Sequence, residues 1–392
     1  MSSARTSSFV AAFVVALASP LHARAAPCSE LPNPTIGLGG SAAKPLLQRF
    51  ATELSQQGEP ISLVFQSTTS CFGITAYIDD MPLTGSASFW GADGVEQMCE
   101  IPVPGITPDY GIMSIEPTLC EGVTAIPDGI GERIGAVTPW SIIVPVASSQ
   151  TTISAEALYF VYGFGASEGM VDPWTIDAEL FARNATASSQ IALAIAANIP
   201  IGKFKGNDAM TAPNMVTSVA MSENPENALG FVGAEVADEN RDTVKALAFQ
   251  AYGQSCGYWP DSSPTAFDKQ NVRDGHYFIW TPYRFYAPVD DAGEIIHAPT
   301  RTAVGYLTGT QAIPDDFPAL DMTIDNGSIP RCAMQVWRDE EVGPLMSYQP
   351  EGACGCYYDV RATGSTDCMA CTGADECPAE APACNHGYCE AS

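Results

Sequence analysis

The sequence predicts an α/β protein of two lobes joined by a hinge, followed by a small disulfide-rich module at the C-terminus. Three observations predict this fold class. Strand-like and helix-like segments alternate up to about Asp321, as is typical of α/β layering. That part is roughly 300 residues long, and chains of this length usually divide into two folding units. After Arg331 cysteines become frequent while large apolar residues become few.

Three units of strand, polar turn and helix recur along the large part of the chain. In each unit a short strand-like segment is followed by apolar residues at helical spacing. The predicted strands are residues 35–38, 61–65 and 180–182, and the helices that follow them are residues 46–54, 74–78 and 191–199. We expect Gly58 to end the first helix and Ser189 to be the N-cap of the third.

Two further segments, residues 140–146 and 277–282, are rich in β-branched or aromatic side chains. We expect them to be the strands through which the chain crosses from one lobe to the other and returns. A cleft at such a crossing is where α/β proteins bind ligands. The predicted division is a signal peptide at 1–25, lobe 1 at 26–139, lobe 2 at 140–275, a return segment of lobe 1 at 276–325, and the cysteine-rich module at 326–392.

The first 25 residues predict a secretory signal peptide. Arg5 precedes an apolar stretch at residues 9–18, and Ala23-Arg24-Ala25 resembles a small-residue cleavage site. No later segment approaches the roughly 18 uninterrupted apolar residues of a membrane span. We therefore expect an exported protein, located in the periplasm or secreted to the cell surface, that does not span a membrane.

The chain is strongly acidic, with a formal net charge of −28. This charge argues against nucleic acid as a partner, because nucleic-acid binding depends on neutralising backbone phosphates. The same charge repels small anions at long range. Any bound anion must therefore be held by short-range hydrogen bonds.

The chain has 13 cysteines, which in an exported protein favours disulfides. Because the number is odd, at least one cysteine is left unpaired. The cysteines between residues 368 and 384, with His386 nearby, also have a spacing like that of a zinc site, but export favours disulfides there too. We expect Cys99 to pair with Cys120, and we expect neither a metal nor a cofactor.

Clusters of small polar residues stand at three strand-to-helix turns, at residues 37–41, 67–70 and 186–189. The first N–H groups of a helix have no internal partner and carry the positive end of the helix dipole, so such turns can hold an anion. The alternative is that these serines only cap their helices. If the three turns converge, they form one oxyanion site.

Five segments, in order, resemble the periplasmic phosphate-binding proteins of ABC importers, a family with the type II periplasmic-binding-protein fold. They are Gly39-Gly40-Ser41-Ala42, Ser70-Cys71-Phe72-Gly73-Ile74, Tyr162-Gly163-Phe164-Gly165 with Asp172-Pro173-Trp174, residues 200–208 (PIGKFKGND) and residues 228–232 (ALGFV). The cysteine-rich module is not part of the resemblance. The resemblance implies two α/β lobes that close on a dehydrated oxyanion.

The resemblance also implies which residues hold the ligand. They are Ser41, the Ala42 N–H, Ser70 and Ser88 on lobe 1, and Arg183, Ser188 and Ser189 on lobe 2. The family's arginine stands one residue closer to the serines than Arg183 does, so Asn184 is the alternative to Arg183. An ungapped count places Ser88 where the family has an aspartate that accepts the proton of phosphate. A hydroxyl there weakens the discrimination between phosphate and sulfate.

No residue pattern predicts an enzyme. His276 and His297 are accompanied by neither a Gly-x-Ser-x-Gly sequence nor a His-Glu-x-x-His pair. The resemblance implies a monomeric carrier that captures phosphate or a similar oxyanion for the permease of an ABC importer. The alternative is an exported binding or sensory domain with a changed ligand, in which the cysteine-rich tail contacts a surface or a partner.

Overall fold

The computed structural model describes residues 26–341 and 343–391. The predicted signal peptide at 1–25 lies outside the described residues. Within the described part of the chain, no helix is both long enough and apolar enough to cross a bilayer.

The first lobe begins with parallel strands whose carboxyl ends face one edge. Its elements are β1 (Thr35–Gly40), α1 (Lys44–Leu54), β2 (Leu63–Thr68), α2 (Phe72–Ile78), β3 (Ser86–Trp90), β4 (Glu96–Glu100) and β5 (Tyr110–Met113). Strand β1 lies between β2 and β5 and is parallel to both. On one face of this sheet, α1 buries Leu47 and Phe50 against Phe65 of β2. The apolar spacing of α1 therefore fixes the helix on the sheet as the sequence predicts.

The long strand β6 (Ile130–Pro145) leads into the second lobe. The elements that follow are β7 (Thr152–Ser154), α3 (Ala155–Phe164), α4 (Ala166–Gly169), β8 (Phe181–Ala182), α5 (Ser188–Ala196), β9 (Asn207–Asp208), α6 (Ala212–Ala220), β10 (Gly230–Gly233), α7 (Ala234–Glu239), β11 (Val244–Ala246), β12 (Ala248–Gln250) and α8 (Gln270–Arg273). Helix α5 is buried almost all round, and its Leu193 packs in one core with Val219 and Phe231. This burial explains why residues 191–196 of α5 are all apolar.

The chain returns to the first lobe through β13 (Trp280–Pro288), α9 (Ala298–Thr308) and α10 (Ala319–Asp325). The first part of β6 pairs with β13, and residues 140–145 of β6 pair with β10 and β11. The sheet order is β10-β6-β13-β5-β1-β2-β3-β4, so one sheet runs through both lobes. The two predicted crossing segments thus lie on β6 and at the start of β13. The four lobe boundaries predicted from the sequence stay a proposal.

The C-terminal part contains β14 (Val336–Trp337), β15 (Met346–Ser347), α11 (Gly355–Thr363), β16 (Ala383–Asn385) and β17 (Tyr388–Glu390). The first half of this disulfide-rich module joins the core of the second lobe, where Met334 and Tyr358 are buried. The guanidinium of Arg273, 1% exposed, donates to the Ala333 carbonyl at 3.0 Å and pairs with Asp359. These contacts need side chains from distant segments, so cysteine spacing alone could not reveal them.

Disulfides join most of the cysteines. The pairs are Cys28–Cys99, Cys71–Cys120, Cys332–Cys354, Cys356–Cys368, Cys371–Cys384 and Cys377–Cys389. The predicted Cys99–Cys120 bond is therefore wrong. Cys99 instead lies beside the N-terminal segment, because the Glu100 N–H donates to the Ala26 carbonyl. Among the described cysteines, Cys256 is free and exposed.

Candidate anion-binding site

A cleft of about 560 Å³ lies between the lobes. Its walls bring together six of the seven residues that the sequence predicts as ligand contacts. They are Ser41, Ala42 and Ser70 from the first lobe, and Arg183, Ser188 and Ser189 from the second. The cleft opens at the carboxyl ends of β1 and β2, where the two parallel strands end side by side with Gly40 opposite Thr68. This is the edge at which α/β sheets usually bind ligands.

The first wall consists of the turns that follow β1 and β2. After Gly40, a short 3-10 turn at Ser41–Ala43 leads into α1. A Cβ on Gly40 would lie 2.4 Å from Ser70 Oγ, so only glycine lets the two turns pack together. The Ala42 carbonyl accepts a hydrogen bond from the Tyr283 hydroxyl at 3.2 Å. This hydrogen bond fixes the first wall against β13, the strand through which the chain returns to the first lobe.

The second wall is the first turn of α5, and it touches the first wall. The Ser188 N–H donates to Ser70 Oγ at 3.4 Å, and the Cys71 N–H donates to the Thr186 carbonyl at 3.3 Å. The predicted N-cap, Ser189, is wrong. The helix begins at Ser188 after the N-cap Ala187, which has no side-chain oxygen. The N-cap residue therefore caps none of the first N–H groups of α5, and the Ser188 N–H is paired with Ser70 of the first wall.

Arg183 follows β8 and also lines the cleft. Its backbone N–H donates to Gln190 Oε1 at 3.0 Å, which fixes the turn. Burial lowers the pKa of the guanidinium, and the charge of Asp208 partly opposes this effect. The alternative residue, Asn184, uses its side-chain oxygen to accept from the Thr186 N–H and hydroxyl, at 3.1 and 2.7 Å. Of the two candidates, Arg183 is the one that lines the cleft.

Ser88 lies behind the cleft wall and does not line it. It is on β3, and its hydroxyl donates to Glu96 Oε1 at 2.7 Å. The same oxygen pairs with Lys44 Nζ at 2.7 Å, and Lys44 does line the cleft. The predicted direct contact from Ser88 is therefore not supported by this geometry. Counting residues along the chain without gaps does not give the distance between a strand residue and the cleft.

Three buried polar atoms of cleft-lining residues have no hydrogen-bond partner among the described residues: Thr69 Oγ1, Arg183 Nε and Glu235 Oε1. We call them the orphan atoms. A buried polar atom left unpaired costs about 1–3 kcal/mol, so orphan atoms on residues that line one cleft favour a polar ligand there. Thr69 belongs to the cluster at 67–70 and could have been included from the sequence. Glu235 had no signal in the sequence.

The residues considered for catalysis or metal binding lie elsewhere. His276 contacts Asp274 at 2.7 Å, and His297 contacts Thr300 at 2.8 Å, and neither histidine lines the cleft. The sulfur atoms of Cys371, Cys377 and Cys384 lie within 4.8 Å of one another, but each belongs to a disulfide. The zinc-like spacing in the tail is thus explained by disulfides.

Comparison with solved structures identifies the architecture. A phosphate ABC transporter substrate-binding protein from Clostridium perfringens, with phosphate bound, matches with a TM-score of 0.51 and 12% identity over 76% of this chain and 99% of that one. The chain has the type II periplasmic-binding-protein fold. At this identity the likeness shows the fold alone. No family model matches the sequence, and no curated protein matches it.

Two further matches have TM-scores below 0.5, and we base nothing on them. An ABC-type phosphate transport receptor from Vibrio cholerae matches with a TM-score of 0.47 and 16% identity over 75% of this chain and 99% of that one. The reduced regulatory domain of OxyR from Pseudomonas aeruginosa matches with a TM-score of 0.37 and 10% identity over 72% and 99%. The periplasmic-binding-protein fold does not identify the ligand, so the ligand must be inferred from the residues of the cleft.

Proposed function

We propose that this protein is a non-catalytic carrier that captures an inorganic oxyanion, phosphate first, in the cleft between its lobes. The observation that carries the proposal is the set of orphan atoms, of which Thr69 Oγ1 and Arg183 Nε are donors from opposite lobes. An anion placed between them accepts from both lobes and holds the cleft closed. Such charge-assisted hydrogen bonds are about twice as strong as neutral ones.

The hydroxyls and the helix terminus add neutral donors to Arg183, a partly buried cation of the cleft. Ser41, Ser70, Ser188 and Ser189 line the same cleft as Arg183. Hydroxyls and backbone N–H groups hold an anion at short range only, which suits a chain whose net charge repels anions at a distance. We propose that the ligand's oxygens are shared among these donors and that water is excluded when the lobes close.

The proposed location is outside the cytosol, with an ABC importer permease as the partner. The disulfides form and persist in oxidising compartments such as the periplasm. The protein from Clostridium perfringens that shares the fold is described as the substrate-binding protein of a phosphate ABC transporter. We extend that role to this chain as part of the same proposal.

Isothermal titration calorimetry of the chain without residues 1–25 tests the proposal, with phosphate, arsenate and sulfate as ligands. The protein is first unfolded, dialysed free of small anions and refolded with its disulfides intact. We expect phosphate to bind with one site per chain. If none of the three anions binds at millimolar concentration, the proposal is wrong.

A sensory or surface-binding role is the second candidate, and the packing of the tail favours it. Helix α11 contacts both lobes: Arg361 pairs with Asp325 of α10, and Asp359 pairs with Arg273 of α8. Closure of the cleft would therefore change the contacts that α11 makes with the two lobes. Hydrogen exchange with and without phosphate tests this role: a change in protection of α11 supports it, and unchanged protection argues against it.

A further inference from the structure

Glu235 is an acid of the cleft wall that the sequence did not indicate. It lies in the first turn of α7, directly after β10, and is 4% exposed. A Cβ on Gly233 would lie 2.0 Å from Glu235 Oε1, so this oxygen lies over Gly233, which also lines the cleft. Oε1 is one of the orphan atoms, and Oε2 accepts from the Thr138 hydroxyl at 3.4 Å, at the long end of the range. The carboxyl therefore keeps one oxygen free for a donor.

The cations that share a smaller cavity with Glu235 are already paired with other acids. This cavity is lined by Glu235 together with Lys269 and Arg361. Lys269 Nζ pairs with Asp238 at 2.6 Å. Arg361 pairs with Asp325 at 2.5 Å. Because a buried carboxylate is normally paired or fully hydrogen-bonded, Glu235 has room for a cation that the described residues do not supply.

A second acid of the same helix, Glu239, also lines the cleft. Burial is the largest cause that raises the pKa of Glu235, and with the charges of Asp238 and Glu239 it brings this pKa to about 7. The Thr138 hydroxyl acts in the opposite direction, and Tyr283 on β13 also interacts with the carboxyl. A cation bound beside the two acids would relieve their repulsion and favour the ionised form of both.

The pairing of the strands places these acids near Arg183. Leu180, at the start of β8, and Leu229, at the start of β10, form a parallel bridge. Counted from this bridge, Arg183 is level with Val232, and Glu235 follows three residues later. With about 4.8 Å between strands and about 3.3 Å per residue, the backbones of Arg183 and Glu235 lie on the order of 10 Å apart. Because both side chains line the cleft, one small molecule can reach both.

The charges and the size of the cleft favour a ligand that carries both signs of charge. Lys44 is paired with Glu96, which leaves Arg183 as the cation of the described wall. Glu235 and Glu239 are its remaining acids. Inorganic phosphate has no group that contacts these acids favourably at neutral pH. The volume of about 560 Å³ is in the range of sites for small organic molecules, and a single phosphate ion fills a small part of it.

We propose that Glu235 and Glu239 form a subsite for an ammonium group, and that the cleft takes amino-alkyl phosphates whose phosphate group is held by Arg183 and the serine-bearing turns. This inference rests on the proposed function, because the same donors hold inorganic phosphate, and it adds a cation on the same molecule. Trp140 and Val236 also line the cleft and provide apolar surface for the carbon chain between the two charges. No covalent step is involved.

Calorimetry at pH 8 in about 0.15 M salt tests the proposal with two matched pairs of ligands. They are 2-aminoethyl phosphate with ethyl phosphate, and 3-aminopropyl phosphate with propyl phosphate; inorganic phosphate is the fifth ligand. At this pH most of Glu235 is ionised, the amines are protonated and the phosphate groups are dianions. The members of each pair therefore differ by the ammonium group. We expect the better amine to bind about 30-fold more tightly than the ligand without it, as for a hydrogen bond between charged groups.

The ratio of affinities within a pair assigns the subsite to its residues. Glu235→Gln should reduce this ratio to about threefold or less, and Glu239→Gln should reduce it in part. Glu223→Gln makes the same chemical change at an exposed residue of the second lobe and should keep the wild-type ratio.

Two outcomes overturn this inference and leave the proposed function standing. In the first, phosphate binds, but neither amine binds more tightly than the ligand without the amine. In the second, the amines bind more tightly, but Glu235→Gln and Glu239→Gln keep the wild-type ratio. If none of the five ligands binds the wild-type chain, the inference and the proposed function are both overturned. If Glu235→Gln does not fold, the ratio in Glu239→Gln decides in the same way.

Discussion

Replacing Glu235 by glutamine should stabilise the folded protein, and the gain should depend on pH. The carboxyl is 4% exposed, with one orphan oxygen and one long hydrogen bond. In the unfolded chain its pKa is near 4.5, and in the folded protein burial raises this pKa to about 7. The folded state therefore holds a proton that the unfolded state releases. Stability falls as the pH rises from 4.5 to 7.

The size of the effect follows from the two pKa values. Each pKa unit corresponds to about 1.4 kcal/mol, so ionised Glu235 costs the folded state about 3 kcal/mol above pH 7. Glutamine resembles the protonated carboxyl in shape and carries no charge. The variant should equal the wild type in free energy of unfolding near pH 4.5. It should then gain about 1.4 kcal/mol per pH unit and level off near 3 kcal/mol above pH 7.

Urea unfolding of both proteins at several pH values between 4.5 and 8.5, without oxyanions, measures this difference. The difference between the variants is the useful quantity, because burial also raises the pKa of Glu341 to about 7 and bends both curves in the same way. Glu223→Gln, which makes the same chemical change at an exposed residue of the second lobe, is the control. A constant difference between Glu235→Gln and wild type across the range would show that Glu235 is not desolvated as the structure indicates.

Two further predictions concern the cleft wall. Arg183→Gln should weaken phosphate binding by about 2 kcal/mol, or about 30-fold. It should not reduce stability, because Arg183 Nε is an orphan atom. Calorimetry and urea unfolding measure both effects with Lys203→Gln as the control, and unchanged phosphate affinity would contradict the prediction. Replacing Cys71 and Cys120 by serine opens a loop of 49 residues and should cost about 4 kcal/mol in urea unfolding. Phosphate binding should weaken too, because the Cys71 N–H contacts the second wall. The control Cys256→Ser should change neither the stability nor the phosphate affinity. A loss of stability below about 1 kcal/mol in the double variant would refute this prediction.

Local patterns in the sequence were sufficient to predict the main architecture. The apolar spacing at 46–54 and 74–78 corresponds to α1 and α2, and the turns before them contribute residues to the cleft. Parallel strands end at one edge, so small polar residues after β1 and β2 had to come together. Because the chain between each strand and the following helix is short, the sequence is sufficient to place a backbone N–H group or a hydroxyl at the end of the strand.

Contacts between distant segments could not be predicted in this way. Glu235 is buried because β6 and the turn that follows α10 close over it, and neither is near it in sequence. The pairing of Cys28 with Cys99 depends on the N-terminal segment lying beside β4. The contact predicted for Ser88 came from counting residues along the chain, whereas the distance of Ser88 from the cleft depends on sheet packing. Each of these features is set by tertiary structure and not by spacing.

The charge of the cleft indicates what must hold an anion in so acidic a chain. Lys44 is neutralised by Glu96 at 2.7 Å, and Glu239 lines the same wall as Arg183. The described wall therefore carries a net charge of about zero when Glu235 is protonated and of about −1 when Glu235 is ionised. At neither protonation state does net charge favour the bound anion over the free one. The affinity that we propose for phosphate must therefore come from short-range hydrogen bonds, donated by Arg183 and by the serine hydroxyls of the two walls. An acidic chain can retain an anion where such donors converge and water is excluded, because each donated hydrogen bond is then stronger than it is in water.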